Sequence, residues 1–304
     1  MKTIFVDFPI RNYLCGIEIR NTTVRRSLSA LPRLLRKLPV FSKFISNTKE
    51  CKGWEQECKE HDMVVLFDTY AKYSEYARKI ENVVAEDTRL ILYLLNPVFF
   101  SDDYLNLSKR WEIWSFDKED SVKYGFRYGG TFYNPNLLNH PKGTGKNTKS
   151  DLLFVGTDKG RKPFIQSIRL HLEREGINCD FRIVDNFRSL LSSQYSREVP
   201  YMKLCDLIRN TNAIFDVVQK SQHGLTLRIM EGLLFDKKIV TTNINIANDI
   251  DFADCDNIYI LKKDNINGLK AFIKKTSVAY SKELKDKYSF FCWIRRLESN
   301  VELE

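Results

Sequence analysis

The stretch from Gln219 to Asn243, QKSQHGLTLRIMEGLLFDKKIVTTN, constrains the fold more than any other part of the chain. The apolar run AIFDVV at 213–218 reads as a buried strand, and KIVTTN at 238–243 reads as a second one. Between them Leu227, Met230, Leu233 and Leu234 recur at helical spacing, which predicts a short amphipathic helix. A strand, a helix and a strand in so short a span make a unit whose two strands run parallel. Gly224 and Thr226 mark the helix start, where free backbone amides and the positive end of the helix favour an anion. Glu231 lies a full turn deeper, three residues after Arg228, and an acid there can accept hydrogen bonds from a ribose diol.

The same alternation runs through the rest of the chain. TIFVDF (3–8), MVVLFD (63–68), RLILYLLN (89–96) and WEIWSFD (111–117) read as strands, with a helix over about 71–86. The segment 102–110 is helix-like, and KYGFRYGGTFYNP (123–135) reads as an edge strand or packed loop. NHPKGTGKNTKSD has almost nothing to bury, so residues 139–150 are expected to link two domains, 1–138 and 151–304. Beyond it come DLLFVG (151–156), an amphipathic helix carrying Ile165, Ile168 and Leu172, a Gly stop at Gly176, and the strand CDFRIV (179–184). A helix over 200–210, the strand NIYIL (257–261) and a helix over 264–280 complete the pattern. Short apolar runs alternating with helices imply parallel sheets covered on both faces, the α/β class with two doubly wound, Rossmann-like domains face to face. Ligands bind such sheets outside the carboxyl ends of the strands.

The residues from Gln222 to Glu231, followed by Thr241 to Asn243, resemble the nucleotide-sugar site of GT-B glycosyltransferases. Many members carry a Glu-x7-Glu motif, with a Gly after the first Glu and a short strand after the helix. Glu231 falls on the second Glu, which in that family grips the donor ribose, and Gly224 falls on the Gly. His223 stands where the first Glu would be. The string QxGLTxRxxE followed by KKxxTTN is also similar to bacterial lipopolysaccharide and capsule biosynthesis proteins. The resemblance implies transfer of a sugar from a nucleotide-sugar donor to a lipid-linked glycan, without a divalent ion or other cofactor. It also implies that the last helix, with Trp293, packs back on the first domain. A GT-B-like protein that binds without turnover is the rival reading fed by His223, and a sugar-nucleotide epimerase is another.

Charge adds a partner. From Arg20 to Lys52 there are nine basic residues against one acid, Glu50, so almost the whole net charge of +9 lies there. Leu28, Leu31, Leu34, Leu35, Leu38, Phe41 and Phe44 share that stretch at helix-like spacing, interrupted by Pro32 and Pro39. A basic amphipathic segment of this kind suits an anionic membrane surface, where each Lys or Arg adds about 1 kcal/mol. Aromatic platforms interleaved with basic residues are not evident, so nucleic acid is not expected as a partner. No apolar run reaches the roughly 18 residues of a membrane span, and MKTIFVDFPIRNY is too short in apolar length for a signal peptide. Seven scattered cysteines with no CxxC pair read as reduced thiols. The expected location is cytoplasmic, peripheral on the inner face of the cell membrane.

The candidate residues follow from strand ends. Asp7 and Asp68 sit at the ends of the first two long strands, on the acceptor side, and are the candidates for a general base. On the donor side, Gly156, Lys159 and Arg161 of the GTDKGR loop are placed to meet a diphosphate, together with His223, Gly224, Thr226, Arg228 and Glu231. No Walker loop and no GxGxxG after the first strand are present. The four histidines show no metal-ligand spacing, and Asp102-Asp103 reads as a helix cap, so no metal site is expected.

Overall fold

The computed structural model describes residues 1–10, 12–27, 48–69, 72–139, 149–219 and 222–304. The chain divides into two compact units. The first comprises Met1–Arg11, Ile17–Phe116 and Asp120–Arg127, and the second Asn12–Gly16, Asp117–Glu119 and Tyr128–Glu304. The apolar positions Leu28 to Phe44 of the basic segment, most of the expected linker (140–148), Arg11 and Tyr70 lie outside the described residues.

The first unit is built on a six-stranded sheet in the order β2-β1-β5-β6-β7-β8. Its strands are β1 (Thr3–Val6), β2 (Arg20–Thr22), β5 (Met63–Phe67), β6 (Arg89–Leu94), β7 (Trp111–Ser115) and β8 (Arg127–Tyr128). The pairings from β2 through β7 are parallel. Two short strands, β3 (Arg25–Ser27) and β4 (Thr48–Glu50), form a separate antiparallel ladder. β1 and β5 are buried along their whole length, as strands apolar on both faces must be. Helices α1 (Trp54–Lys59) and α2 (Tyr73–Glu81) supply Trp54, Cys58, Tyr76, Ala77 and Ile80 to a core with Ile4, Val64, Leu66 and Leu92. The helix-like segment at 102–110 is a single 3-10 turn, Asp103–Asn106. Asp103 there caps a different helix: its carboxylate accepts from Ser74 N at 2.7 Å, at the start of α2.

A third helix, α3 (Lys118–Tyr124), follows β7. The second unit holds a five-stranded, all-parallel sheet in the order β10-β9-β11-β12-β13. Its strands are β9 (Ser150–Thr157), β10 (Cys179–Val184), β11 (Thr211–Asp216), β12 (Lys238–Thr241) and β13 (Ile258–Ile260). Because β10 and β11 lie on opposite sides of β9, the strand order reverses at β9 and opens a crevice there, as in doubly wound sheets. The crossover helices are α4 (Lys162–Arg174), α5 (Tyr201–Arg209), α6 (Leu227–Leu234) and α7 (Leu269–Lys274). Gly232 lets α6 lie against β12, since a Cβ there would stand 2.4 Å from Ile239 Cδ1.

The expected helix over 264–280 is mostly not formed: a 3-10 turn at Ile266–Gly268 precedes α7, which stops at Lys274. Tertiary contacts end it. Buried Lys238 donates to the carbonyls of Phe272 (2.8 Å), Ile273 (2.5 Å) and Lys275, and Asn257 Oδ1 accepts from Val278 N at 2.9 Å. The terminal helices α8 (Lys282–Tyr288) and α9 (Phe290–Ser299) follow. Trp293 of α9 is fully buried with its ring centroid 4.2 Å from that of Phe132, so the last helix packs on residues 128–133, which belong to the second unit. All seven cysteines are free, and among the described residues no helix is long and apolar enough to cross a membrane.

Candidate functional site

The carboxyl edge of the second sheet gathers a buried polar cluster around α6. Thr226 caps the helix in an extended conformation, its Oγ1 accepting from Ile229 N, as a Thr at that position does. The same hydroxyl donates to Asp216 Oδ1 at 3.0 Å, and Thr241 Oγ1 donates to Asp216 Oδ2 at 2.8 Å. One carboxylate therefore joins the ends of β11 and β12 to the start of α6. Burial pushes the Asp216 carboxyl above the usual range, against the two hydroxyl donors.

One turn into α6, Glu231 is 1% exposed and paired with Arg228. Burial raises its carboxyl too, and the guanidinium opposes the shift. Tyr201 acts on the same carboxylate, although neither its hydroxyl nor Glu231 Oε1 completes a hydrogen bond of ordinary geometry. Tyr13 closes the cluster: its ring centroid stands 5.1 Å from that of Tyr201 and its hydroxyl donates to Phe132 O at 2.5 Å. A carboxylate with one oxygen short of a partner, in so buried a place, is suited to accept from a ligand hydroxyl.

The turn before α6 departs from the simple anion site expected of it. The amides of His223 and Gly224 both donate to Asp117 Oδ2, at 3.0 and 2.7 Å. On its other side Asn243 Nδ2 donates to the carbonyls of the same two residues, at 3.2 and 3.3 Å. Gly224 thus supplies a closely held turn whose amide already has a carboxylate, rather than an open seat for phosphate. The His223 ring is partly exposed; Asn245 Nδ2 lies 2.6 Å and Glu119 Oε1 3.4 Å from its Nδ1.

The GTDKGR loop divides its charges. Arg161 donates to three carbonyls, those of Thr157 (2.6 Å), Asp158 (3.3 Å) and Val217, and so ties the end of β9 to the end of β11. Gly156 lies beside it, and a Cβ there would stand 3.2 Å from Phe154 Cζ. Lys159 is held at φ 45° and makes no hydrogen bond or ion pair among the described residues. Burial and the neighbouring Arg161 charge lower its pKa. It lines a pocket of about 690 Å³ with Thr157, Asp158, Gly160, Asn186 and Arg188, on the β10 side of β9. The structure thus brings Thr226, Arg228 and Glu231 together with Arg161, whose charge is felt by Asp216, while Lys159 faces a different recess.

In the first unit Asp7 and Asp68 end the adjacent strands β1 and β5. Asp7 is buried with φ 60°, an uncommon backbone state for a residue with a side chain, and accepts from Val24 N at 2.9 Å. Thr69 Oγ1 donates to Asp7 O at 2.6 Å, linking the two strand ends. Asp68 accepts from Leu95 N (2.8 Å), Asn96 N (3.1 Å) and Asn96 Nδ2 (3.2 Å), and burial pushes its carboxyl up to about 6. That value suits a base near neutral pH, while the three donors show that Asp68 also braces the 95–96 turn. Among the described residues no group of three His, Cys, Asp or Glu is placed to hold a metal ion.

Asp117, Asp216, Tyr13 and Tyr201 belong to this candidate site and are passed over by sequence reasoning, which reaches Asn243 only as part of the 241–243 strand end. Asp117 and Asp216 each stand at the carboxyl end of an apolar run, the one signal that marks them. No spacing rule connects Tyr13 or Asp117 with positions near 201 and 223.

No family model matches the chain, and no curated protein matches it. Solved structures do, through their fold, and the two doubly wound units have the GT-B architecture. One neighbour is an α-glucosyltransferase in complex with UDP-glucose and DNA containing an abasic site, with TM-score 0.56 and 10% identity over 98% of both chains. Another is a UDP-forming α,α-trehalose-phosphate synthase from Burkholderia xenovorans, with TM-score 0.53 and 11% identity over 82% of this chain and 75% of that one. Identities this low speak for shared architecture.

Proposed function

We propose that the chain is a metal-independent glycosyltransferase that moves a hexosyl or similar unit from a nucleotide-sugar donor to a lipid-linked glycan at the inner face of the cell membrane. The observation that carries this reading is the buried Glu231–Arg228 pair one turn inside a Thr-capped helix, at the carboxyl edge of a doubly wound sheet. Glu231 would take the ribose hydroxyls, and Arg228, with the nearby charge of Arg161, would meet the diphosphate. Asp7 or Asp68 would take the proton of the acceptor hydroxyl as it attacks the anomeric carbon and the nucleoside diphosphate leaves. The UDP-glucose held by the first neighbour supports the donor class. The lipid-linked acceptor and a role in lipopolysaccharide or capsule assembly rest on the basic stretch 20–52 and on the QxGLTxRxxE string.

A panel of nucleotide sugars tests the donor: a ligand at 100 times its Kd stabilises the protein by about 2.7 kcal/mol. No melting shift with any member rejects the reading, and a shift without transfer or hydrolysis favours a binding protein. Cosedimentation tests the acceptor side. Vesicles rich in anionic lipid should bind the protein at low salt and release it as salt shortens the screening length from about 10 Å at 0.1 M. Replacing Arg25, Arg26, Arg33, Arg36 and Lys37 by Gln should abolish that binding and leave nucleotide affinity unchanged. The net charge of +9 and the DNA held by the first neighbour favour a second reading, a DNA acceptor. Binding to duplex DNA with indifference to anionic vesicles would select it.

A further inference from the structure

Asp117 lies two residues past the end of β7, is 1% exposed, and has both carboxylate oxygens engaged. Its Oδ1 accepts from Glu119 N at 3.0 Å, in the first turn of α3. Its Oδ2 receives the two adjacent amides of His223 and Gly224. Two neighbouring N–H groups converging on one oxygen are an arrangement that binds anions, and here the anion is a side chain of the chain itself. The remaining polar groups of the turn are also taken. Asn243, 2% exposed, holds the carbonyls of His223 and Gly224, and Thr131 Oγ1 donates to Leu225 O at 2.6 Å.

What the turn leaves to present is the His223 ring. Asn245 Nδ2 and Glu119 Oε1 both stand at its Nδ1 and orient the ring. Glu119, beside the ring, enters through the same Asp117 bond that starts α3.

We infer that Asp117 is a positioning residue of the donor site: it clamps the 223–224 peptide so that the His223 imidazole, and not the backbone amides, meets the diphosphate of the donor. The inference rests on the reading of 223–231 as a nucleotide-sugar site. It makes the acid missing from position 223 part of a different solution, in which an imidazole is held by residues distant in sequence. A carboxylate already seated on the amides repels a second anion from them, so the phosphate charge has to be met by side chains.

The test uses UDP and uridine as probes and amide hydrogen exchange as a ligand-free readout, on D117A, D117N and H223A. In D117A exchange at His223 and Gly224 should quicken at least tenfold, and UDP affinity should fall several-fold, no further than in H223A. D117N keeps an oxygen for both amides and should restore most of both. H223A should weaken UDP several-fold, leave uridine within twofold, and keep exchange at Gly224 slow. D117A binding UDP like the parent overturns the inference, as does D117N binding UDP tenfold tighter, because the amides would then be the phosphate seat. If D117A does not fold, D117N and H223A decide by the same criteria. A parent that binds neither UDP nor UDP-glucose overturns the donor-site reading and this inference with it. A parent that binds them with H223A indistinguishable from it overturns this inference alone.

Discussion

Replacing Glu231 by Ala leaves a guanidinium without its counter-charge in a place built for a pair. Removing one partner of a buried ion pair costs roughly 3–5 kcal/mol, because the other charge stays behind. Arg228 retains 24% of its side-chain exposure, so water reaches part of it, and we expect about 2–4 kcal/mol. For a unit of this size that lowers the melting temperature by roughly 5–15 °C. Glu231→Gln keeps the volume and an acceptor and should lose about half as much. Arg228→Leu with Glu231→Leu should recover most of the stability, since well-packed apolar residues replace buried pairs at little cost. All three variants should lose nucleoside affinity at least tenfold, the equivalent of one or two hydrogen bonds to a charged group. Calorimetry with and without uridine reads both effects. An alanine variant that melts within 1 °C of the parent, or a double variant that melts as low as the single one, would refute the reasoning about the pair. Parent-like uridine binding would refute the role of Glu231.

Two pH predictions have opposite signs. The Asp68 carboxyl titrates at about 6 in the folded protein, above the usual carboxylate value of about 4. In that window the folded state keeps a proton that the unfolded chain has released, so stability falls as pH rises. Asp68→Asn should remove this slope in urea melts taken from pH 4 to 6.5, and an unchanged slope would rule the group out. Lys238 is pushed down to about 8 by burial, so from there to about 10.4 the unfolded chain holds the extra proton and stability rises with pH. Lys238→Met should lose that rise, cost about 1–3 kcal/mol, and speed amide exchange in α7; exchange equal to the parent's would show that the carbonyls need no cation.

The sheets were legible because their strands are buried on both faces, and continuous apolar runs such as MVVLF and RLILYL have few other readings. Local signals also located Gly176, which has φ 77° just past α4, and Thr226 as the cap of α6. What the sequence does not show is tertiary. Helix propensity over 264–280 yields to Lys238 and Asn257, which take the backbone groups a longer helix would need. Gly224 and Arg161 read as ligand groups because a sequence shows a residue's chemistry and not its existing partners. Asp117 and three carbonyls hold those groups in the folded chain. The sequence singles out Glu231 one turn into the helix, three residues after Arg228, but does not show its near-total burial, and burial turns a surface-like substitution into a destabilising one.

Arg161 also has a consequence for how the crevice treats charge. Bound to the carbonyls of Thr157, Asp158 and Val217, its guanidinium does not need to swing toward a ligand or shed water when one arrives. It is a positive charge held in place at the ends of β9 and β11 by the protein's own carbonyls. Such preorganised charge stabilises a departing anion without reorganisation cost, which is where polar environments gain most over water. Lys159, by contrast, sits at φ 45° and makes no hydrogen bond or ion pair among the described residues. The loop therefore separates a tethered charge from an untethered one. A lysine at 161 would weaken the first, because it lacks the three separate nitrogens, Nε, Nη1 and Nη2, with which the planar guanidinium reaches these carbonyls.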